Sequence, residues 1–308
     1  MKTRFEPDRG LTRRMVATMF LLGLLYVVFT VVLIVLLKSA VLAVVIAAGA
    51  LFAQYWFSDR ITLYAMHGRI VTPAEAPDLH AVIDRLCALA DMPKPAVAVA
   101  DVDVPNAFAT GRSANKAVVC VTTGLLRRLD TEELEGVLAH EMSHVAHRDV
   151  AVMTIASFLG ILAGLITRFG LYASFYGGFG DSRRRSSDGD NTALVVLAVV
   201  GVSAVVYAVS FVLTRTLSRY RELSADRSGA LLTGRPSALA SALTKVSGEI
   251  ARIPTHDLRQ AQAFNAFFFA PAIGPGFSLS TLFATHPPLD QRLSQLAGIA
   301  RELGQAGQ

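Results

Sequence analysis

The sequence predicts a mainly α-helical integral membrane protein, with four hydrophobic helices in two hairpins and a water-facing domain that contains a small β-sheet. Three observations predict it. Residues 15–37 (MVATMFLLGLLYVVFTVVLIVLL) carry no charge over 23 positions, and about 20 apolar residues span a bilayer as a helix. Three more apolar blocks follow at 40–57, 151–167 and 192–214, while polar, mixed-charge sequence fills 58–150 and 215–308. Across the 308 residues, 53% are hydrophobic and 17% charged, against about 25% charged in a soluble domain. The mean hydropathy is +0.46. This composition excludes a disordered charged tail and disfavours an ordinary cytosolic enzyme.

The first two blocks are separated only by Lys38 and Ser39, so 1–57 reads as a transmembrane hairpin. A cleaved signal peptide would have a shorter apolar core, of about 7–15 residues. Lys2, Arg4, Arg9, Arg13 and Arg14 precede the first span, and Lys38 is the one charge in its loop. The positive-inside rule therefore puts the N-terminus in the cytoplasm and returns the chain there by residue 58. Residues 58–150 then form the first part of the water-facing domain. Residues 151–214 form a second hairpin, turned by GFGDSRRRSSDGDN, whose glycines and serines favour a turn. Arg183, Arg184 and Arg185 in that turn run against the positive-inside rule, which leaves open whether 151–167 and 192–214 cross fully. Residues 215–308 complete the water-facing domain.

The net charge of +5 is too mild and scattered to suggest nucleic acid as a partner. Cys87 and Cys120 cannot make a disulfide framework and read as two reduced thiols.

Asp130–Asp149 (DTEELEGVLAHEMSHVAHRD) reads as one helix, opened by a capping box of Asp130 and Glu133, with Leu134, Val137, Leu138 and Val145 as its apolar stripe. Within it lies HEMSH, residues 140–144. A spacing of four puts His140 and His144 on one face, roughly 5–6 Å apart at the base. Two imidazoles so placed can share a Zn²⁺ at about 2.0–2.1 Å each. Glu141 is not needed as a ligand and is placed to take a proton from water whose pKa the metal has lowered.

A catalytic zinc site wants three protein ligands and one open position. His147 is the nearest third candidate, but a straight helix would point all three rings too nearly parallel. Glu222, in SRYRELSAD (218–226), is the better one, and Asp226 one turn later can accept the spare ring N–H of a bound imidazole. A solvated Arg–Glu face is the alternative for that motif. His144 lies seven residues before the third block and Glu222 eight after the fourth, so each is roughly 10–12 Å from the bilayer edge. They meet at one metal only if 151–214 leaves and returns on the same side, as an even number of crossings requires.

In order and spacing, NAFATG (106–111), AVVCVTTGLL (117–126), AHEMSHVAHRD (139–149), SRYRELSADRSGA (218–230) and THPPLDQRL (285–293) resemble the HtpX-type membrane zinc metalloproteases, relatives of the CAAX prenyl proteases. The resemblance runs from about residue 15 to the C-terminus. It implies a gluzincin-like fold with a cytosolic active site, one Zn²⁺ held by His140, His144 and Glu222, Glu141 as base, and Asp226 behind His140. It also implies that an edge strand in 106–126 pairs with extended substrate, with Asn106 and Ala107 as substrate contacts. His286, before two prolines that start the last helix, can donate to the oxyanion formed on the attacked carbonyl, and Arg292 can share that role. The alternative for His286 is a capping or packing histidine.

The reading is thus a multi-pass, membrane-bound zinc endopeptidase of the bacterial cytoplasmic membrane. Its expected partners are the lipid bilayer and polypeptide substrates, chiefly exposed or misfolded membrane-protein segments cut at the cytosolic face in protein quality control. Two alternatives stand beside it: a CAAX-type processing protease of narrow specificity, and a membrane scaffold or chaperone-like protein with a structural metal site. Closed structural zinc sites favour cysteine, and neither Cys87 nor Cys120 has CxxC spacing. The apolar, Gly- and Pro-containing 252–285 stretch reads as a lid or membrane-touching loop, and His67, His80 and His256 as structural or exposed.

Overall fold

A computed structural model of the chain describes residues 9–37, 49, 68–111, 113–177, 189–252 and 286–304. The second apolar block, the turn 178–188, most of the 252–285 stretch, His67 and His256 lie outside the described residues. In order, the elements are α1 (Arg9–Leu37), β1 (Gly68–Ile70), α2 (Pro77–Ala90), β2 (Ala96–Ala100), β3 (Ala107–Thr110), β4 (Val118–Thr122), α3 (Thr123–Leu126), α4 (Thr131–Ala146), α5 (Asp149–Gly177), α6 (Gly189–Thr233), α7 (Pro236–Arg252) and α8 (Leu289–Glu302). The described residues are mostly helical, with one small mixed sheet among them. The chain divides into two compact units: Met1–Met15 with Tyr55–Val152 and Ser218–Gln308, and Val16–Gln54 with Met153–Leu217.

The first unit is built on a four-stranded sheet of order β1-β2-β4-β3, with β2 and β4 parallel and the other two pairs antiparallel. The period of two along AVAVA and VVCVT gives the sheet two apolar faces. Val97, Ala107, Val119 and Val121 join one core with Ile83 and Leu86 of α2, Val137, Leu138 and Met142 of α4, Leu239 and Leu243 of α7, and Leu296 of α8. Ala98, Ala100, Phe108 and Cys120 form a second cluster on the other face. Both cysteines are free and buried, and burial pushes the Cys120 thiol up to about 12, so it is an inert packing group. His80 is likewise a packing residue, with its Nε2 at 3.1 Å from the Val71 carbonyl oxygen.

Asp130 opens α4 with the capping box: its side chain accepts from Glu133 N–H (2.9 Å) and the Glu133 carboxylate accepts from Asp130 N–H (3.1 Å). Leu134, Val137, Leu138 and Val145 are all buried, as their stripe requires. Glu133 and Glu135, acidic residues just before HEMSH, are buried too, and each has a cationic partner. Ser241 Oγ and Lys245 Nζ donate to Glu133 at 2.6 and 2.7 Å, and Arg85 Nε lies 3.2 Å from Glu135.

One expectation is corrected here. Asp130–Asp149 is not a single helix: α4 ends at Ala146, His147 caps it, Arg148 takes a left-handed φ of 56°, and α5 begins at Asp149. The reason is local. Arg148 turns the chain so that Asp149 folds back towards His144, and the hydrogen bonds made by Asp149 offset the cost, roughly 1–2 kcal/mol, of a left-handed non-glycine residue.

In the second unit, Phe29 of α1 packs among Leu159 and Ala163 of α5 and Val199 and Val206 of α6. Here α5 and α6 run antiparallel: Thr214 Oγ1 donates to the Ala156 carbonyl at 3.2 Å, and Gly160 lies against Ser210. Outward-facing Phe20 and Val35 of α1 are each 69% exposed, the apolar surface expected of a helix whose solvent is lipid. Among the described residues, two helical stretches, Thr12–Val32 and Leu197–Thr233, are long and apolar enough to cross a membrane, and Ala156–Arg168 is a shorter apolar helix. Because α6 is unbroken over 45 residues, SRYRELSAD rides on the same helix as the fourth apolar block.

Candidate metal centre

The site is assembled by α4 and α6. α4 carries His140 and His144 one turn apart. α6 lies close enough that a β-carbon on Gly229 would sit 2.9 Å from His140 N, so only glycine permits this approach. At that distance the i, i+4 pair Glu222 and Asp226 points at the histidines. Gly229→Ala is accordingly expected to cost about 1–3 kcal/mol of stability and to lower metal content, read as a lower thermal midpoint and a reduced bound-metal ratio.

One ligand atom from each of His140, His144 and Glu222 lies within 4.8 Å of the others. The two Nε2 atoms are 3.2 Å apart, His140 Nε2 is 3.6 Å from Glu222 Oε2, and His144 Nε2 is 3.5 Å from Glu222 Oε1. Ligands at about 2.0–2.1 Å from a tetrahedral Zn²⁺ stand about 3.3–3.4 Å from one another. The spacing of the two Nε2 atoms agrees with that, and each Nε2 faces a different oxygen of the Glu222 carboxylate.

The protonation pattern fits as well. His140 Nδ1 lies 2.9 Å from Asp226 Oδ1 and His144 Nδ1 2.6 Å from Asp149 Oδ2, which places the ring protons on the carboxylate side. With the ring protons there, both Nε2 lone pairs and a carboxylate edge converge on one point, an arrangement that attracts only a cation. Burial opposes a charge on His140, yet the Asp226 and Glu222 carboxylates outweigh it and raise its pKa. The residues therefore fit a tetrahedral metal with one open position.

Glu141 is 5% exposed, and its Oε2 accepts from Ala109 N–H at 3.0 Å. Burial, reinforced by the Glu222 charge, raises its pKa above the usual carboxylate range. His147 caps α4, and burial, then the charges of His144 and Arg221, lower its pKa; among the described residues it is not part of the ligand cluster.

His286 Nδ1–H donates to Glu222 Oε2 at 2.9 Å, and its buried Nε2 has no hydrogen-bond partner among the described residues. Arg292 is buried behind Asp226, with Nε and Nη2 each 2.6 Å from a carboxylate oxygen; its Nη1 lies 4.0 Å from Glu222 Oε2. It backs His140 through Asp226.

Asn106 turns its backbone to β4: its carbonyl accepts from Thr122 N–H, and its N–H donates to Thr122 Oγ1, both at 2.9 Å. By the alternation of an antiparallel ladder, Ala107 and Ala109 turn theirs to the outer edge. Sequence reasoning missed three participants: Asp149, Arg221 and the Ala109 amide. HRD, two residues after HEMSH, was the available signal for Asp149; nothing in the sequence marked the other two.

An apolar helix bundle joined to a small sheet, with HExxH on one helix and a carboxylate on a later one, defines a membrane metalloprotease. Peptidase family M48 matches residues 73–300, and the chain belongs to that family. It is 65% identical over 306 residues to Protease HtpX homolog 1 of Streptomyces coelicolor, covering 99% of this chain and 98% of that one. It is 51% identical over 303 residues to the Protease HtpX homolog of Moorella thermoacetica, covering 98% and 99%. The crystal structure of S. mikatae Ste24p shares the fold, with a TM-score of 0.53 at 19% identity over 89% of this chain; the match spans 62% of the Ste24p length. The HtpX resemblance read from the motifs is borne out, and membership of a peptidase family sets the scaffold alternative aside.

Proposed function

We propose that the protein is a zinc-dependent endopeptidase that cuts extended or misfolded segments of membrane proteins at the cytosolic face of a membrane. The convergence of His140, His144 and Glu222 carries this reading, and the three would hold one Zn²⁺. When bound, the ion would polarise the scissile carbonyl and lower the pKa of a water molecule. Glu141 takes the proton that the attacking water loses and delivers it to the leaving amine. His286, held to Glu222 through Nδ1, is the side chain we assign to the developing oxyanion.

Substrate is gripped by its main chain. A peptide added to the outer edge of β3 meets the N–H and carbonyl of Ala107 and the carbonyl of Ala109, whose N–H is held by Glu141, and so passes beside Glu141. Such pairing reads backbone before side chains, in keeping with loose sequence preference. The cytosolic placement rests on the basic residues before the first span.

Metal removal tests the proposal. The full chain in detergent is expected to lose casein cleavage on treatment with a zinc chelator and to regain it with one equivalent of Zn²⁺ but not with Mg²⁺, which prefers oxygen ligands. Cleavage that persists in metal-free protein would refute it.

A further inference from the structure

Each histidine of the pair is backed by a carboxylate, and each carboxylate by an arginine. Behind His140 stand Asp226 and Arg292. Behind His144 stands a second chain of the same order: His144 Nδ1–H donates to Asp149 Oδ2 at 2.6 Å, Arg221 Nη2 lies 2.6 Å from that oxygen, and Arg221 Nη1 donates to the Asp149 main-chain carbonyl at 2.7 Å. Asp149 is 4% and Arg221 6% exposed, so these bonds are made out of water.

We propose that Asp149 and Arg221 are a positioning pair for the metal centre: Asp149 fixes the tautomer and direction of the His144 ring, and Arg221 fixes Asp149. This inference rests on the metallopeptidase reading and deepens it. A carboxylate in the first turn of α5 is favoured by the helix dipole alone, but that would need neither a bond to His144 nor an arginine held at two points. The left-handed Arg148 makes the same case, since a continuous helix would carry Asp149 past the ring it now meets. Arg221 immediately precedes Glu222, so their side chains leave α6 about 100° apart. One turn of α6 thus sends a carboxylate to the metal side and a guanidinium to the back of His144, and the two histidines and Glu222 are set by one interlocked group.

Zinc affinity of the full chain in detergent, measured by competition with a chelating dye, tests the pair. Asp149→Asn keeps the side-chain shape but no longer fixes the ring proton, and its affinity is expected to fall about 10- to 100-fold. Arg221→Lys, a point charge that cannot make both bonds, should lose less. At saturating Co²⁺ the visible bands of Asp149→Asn should shift, because they report ligand arrangement and not stability. If Asp149→Asn does not fold, the double variant Asp149→Asn/Arg221→Gln, which leaves no lone buried charge, carries the same comparison. Parental affinity with parental cobalt bands would overturn the pair's role. A double variant that also fails to fold would assign the two residues to the fold and overturn it equally. A parent that takes up no zinc would overturn the metallopeptidase reading itself, whereas a parent with one zinc and variants that match it would overturn only the pair.

Discussion

Glu141→Gln is expected to keep one zinc per chain and to lower the rate of casein cleavage by about 10²- to 10⁴-fold, a barrier increase of about 3–5 kcal/mol. Glutamine has the volume of glutamate, and its amide oxygen can still accept the Ala109 N–H that now bonds to Oε2. The buried pocket is therefore filled, the strand stays in place, and His140 and His144 keep Asp226 and Asp149 beside their Nδ1 atoms. What disappears is the carboxylate assigned to take the proton of the attacking water. Zinc content by elemental analysis beside a cleavage assay on the same sample separates these two effects. Equal proteolysis by variant and parent would remove Glu141 from the chemistry.

The second large effect is expected at the carboxylate supplied by α6. Groups that merely support a ligand cost about 10- to 100-fold in metal affinity when lost, so Glu222→Ala, which removes a ligand outright, is expected to cost more than about 100-fold. It also releases His286 from its 2.9 Å bond and strips a negative charge from beside both Nε2 atoms. Zinc retained by dialysed protein is the measurement, with Glu141→Gln as the comparison that should keep it. Unchanged stoichiometry in Glu222→Ala would move the third ligand elsewhere.

The parts of this molecule that sequence made legible are those governed by a period or a solvent. An uncharged run of 23 residues has one physical solution in lipid, and four-residue spacing puts two side chains on one helical face whatever surrounds them. Glu222 could be brought to His140 and His144 because the arithmetic of crossings left no other way for distant segments to meet. Asp149 could not be read. It faces His144 only because the helix breaks at Arg148, a residue with no intrinsic preference for the left-handed region. Arg221 looked like one more exposed cation among Arg215 and Arg219. The contact at Ala109 depends on which edge of β3 is left unpaired, and strand order is not written in the strand's own residues. Nor is the burial of Glu133 and Glu135 written in their own helix: Lys245 and Arg85 come from other helices to meet them.

The outward rungs of β3 also bear on what such an enzyme would destroy. A hydrogen bond to an alanine amide is blind to the identity of the residue that accepts it, so the main chain of almost any polypeptide qualifies once it is drawn out straight. A client still folded has already spent those same groups on its own helices and sheets. Susceptibility would then track how often a client comes undone, and proline, which has no N–H to offer, would be the one residue able to spoil the grip wherever it fell against a rung.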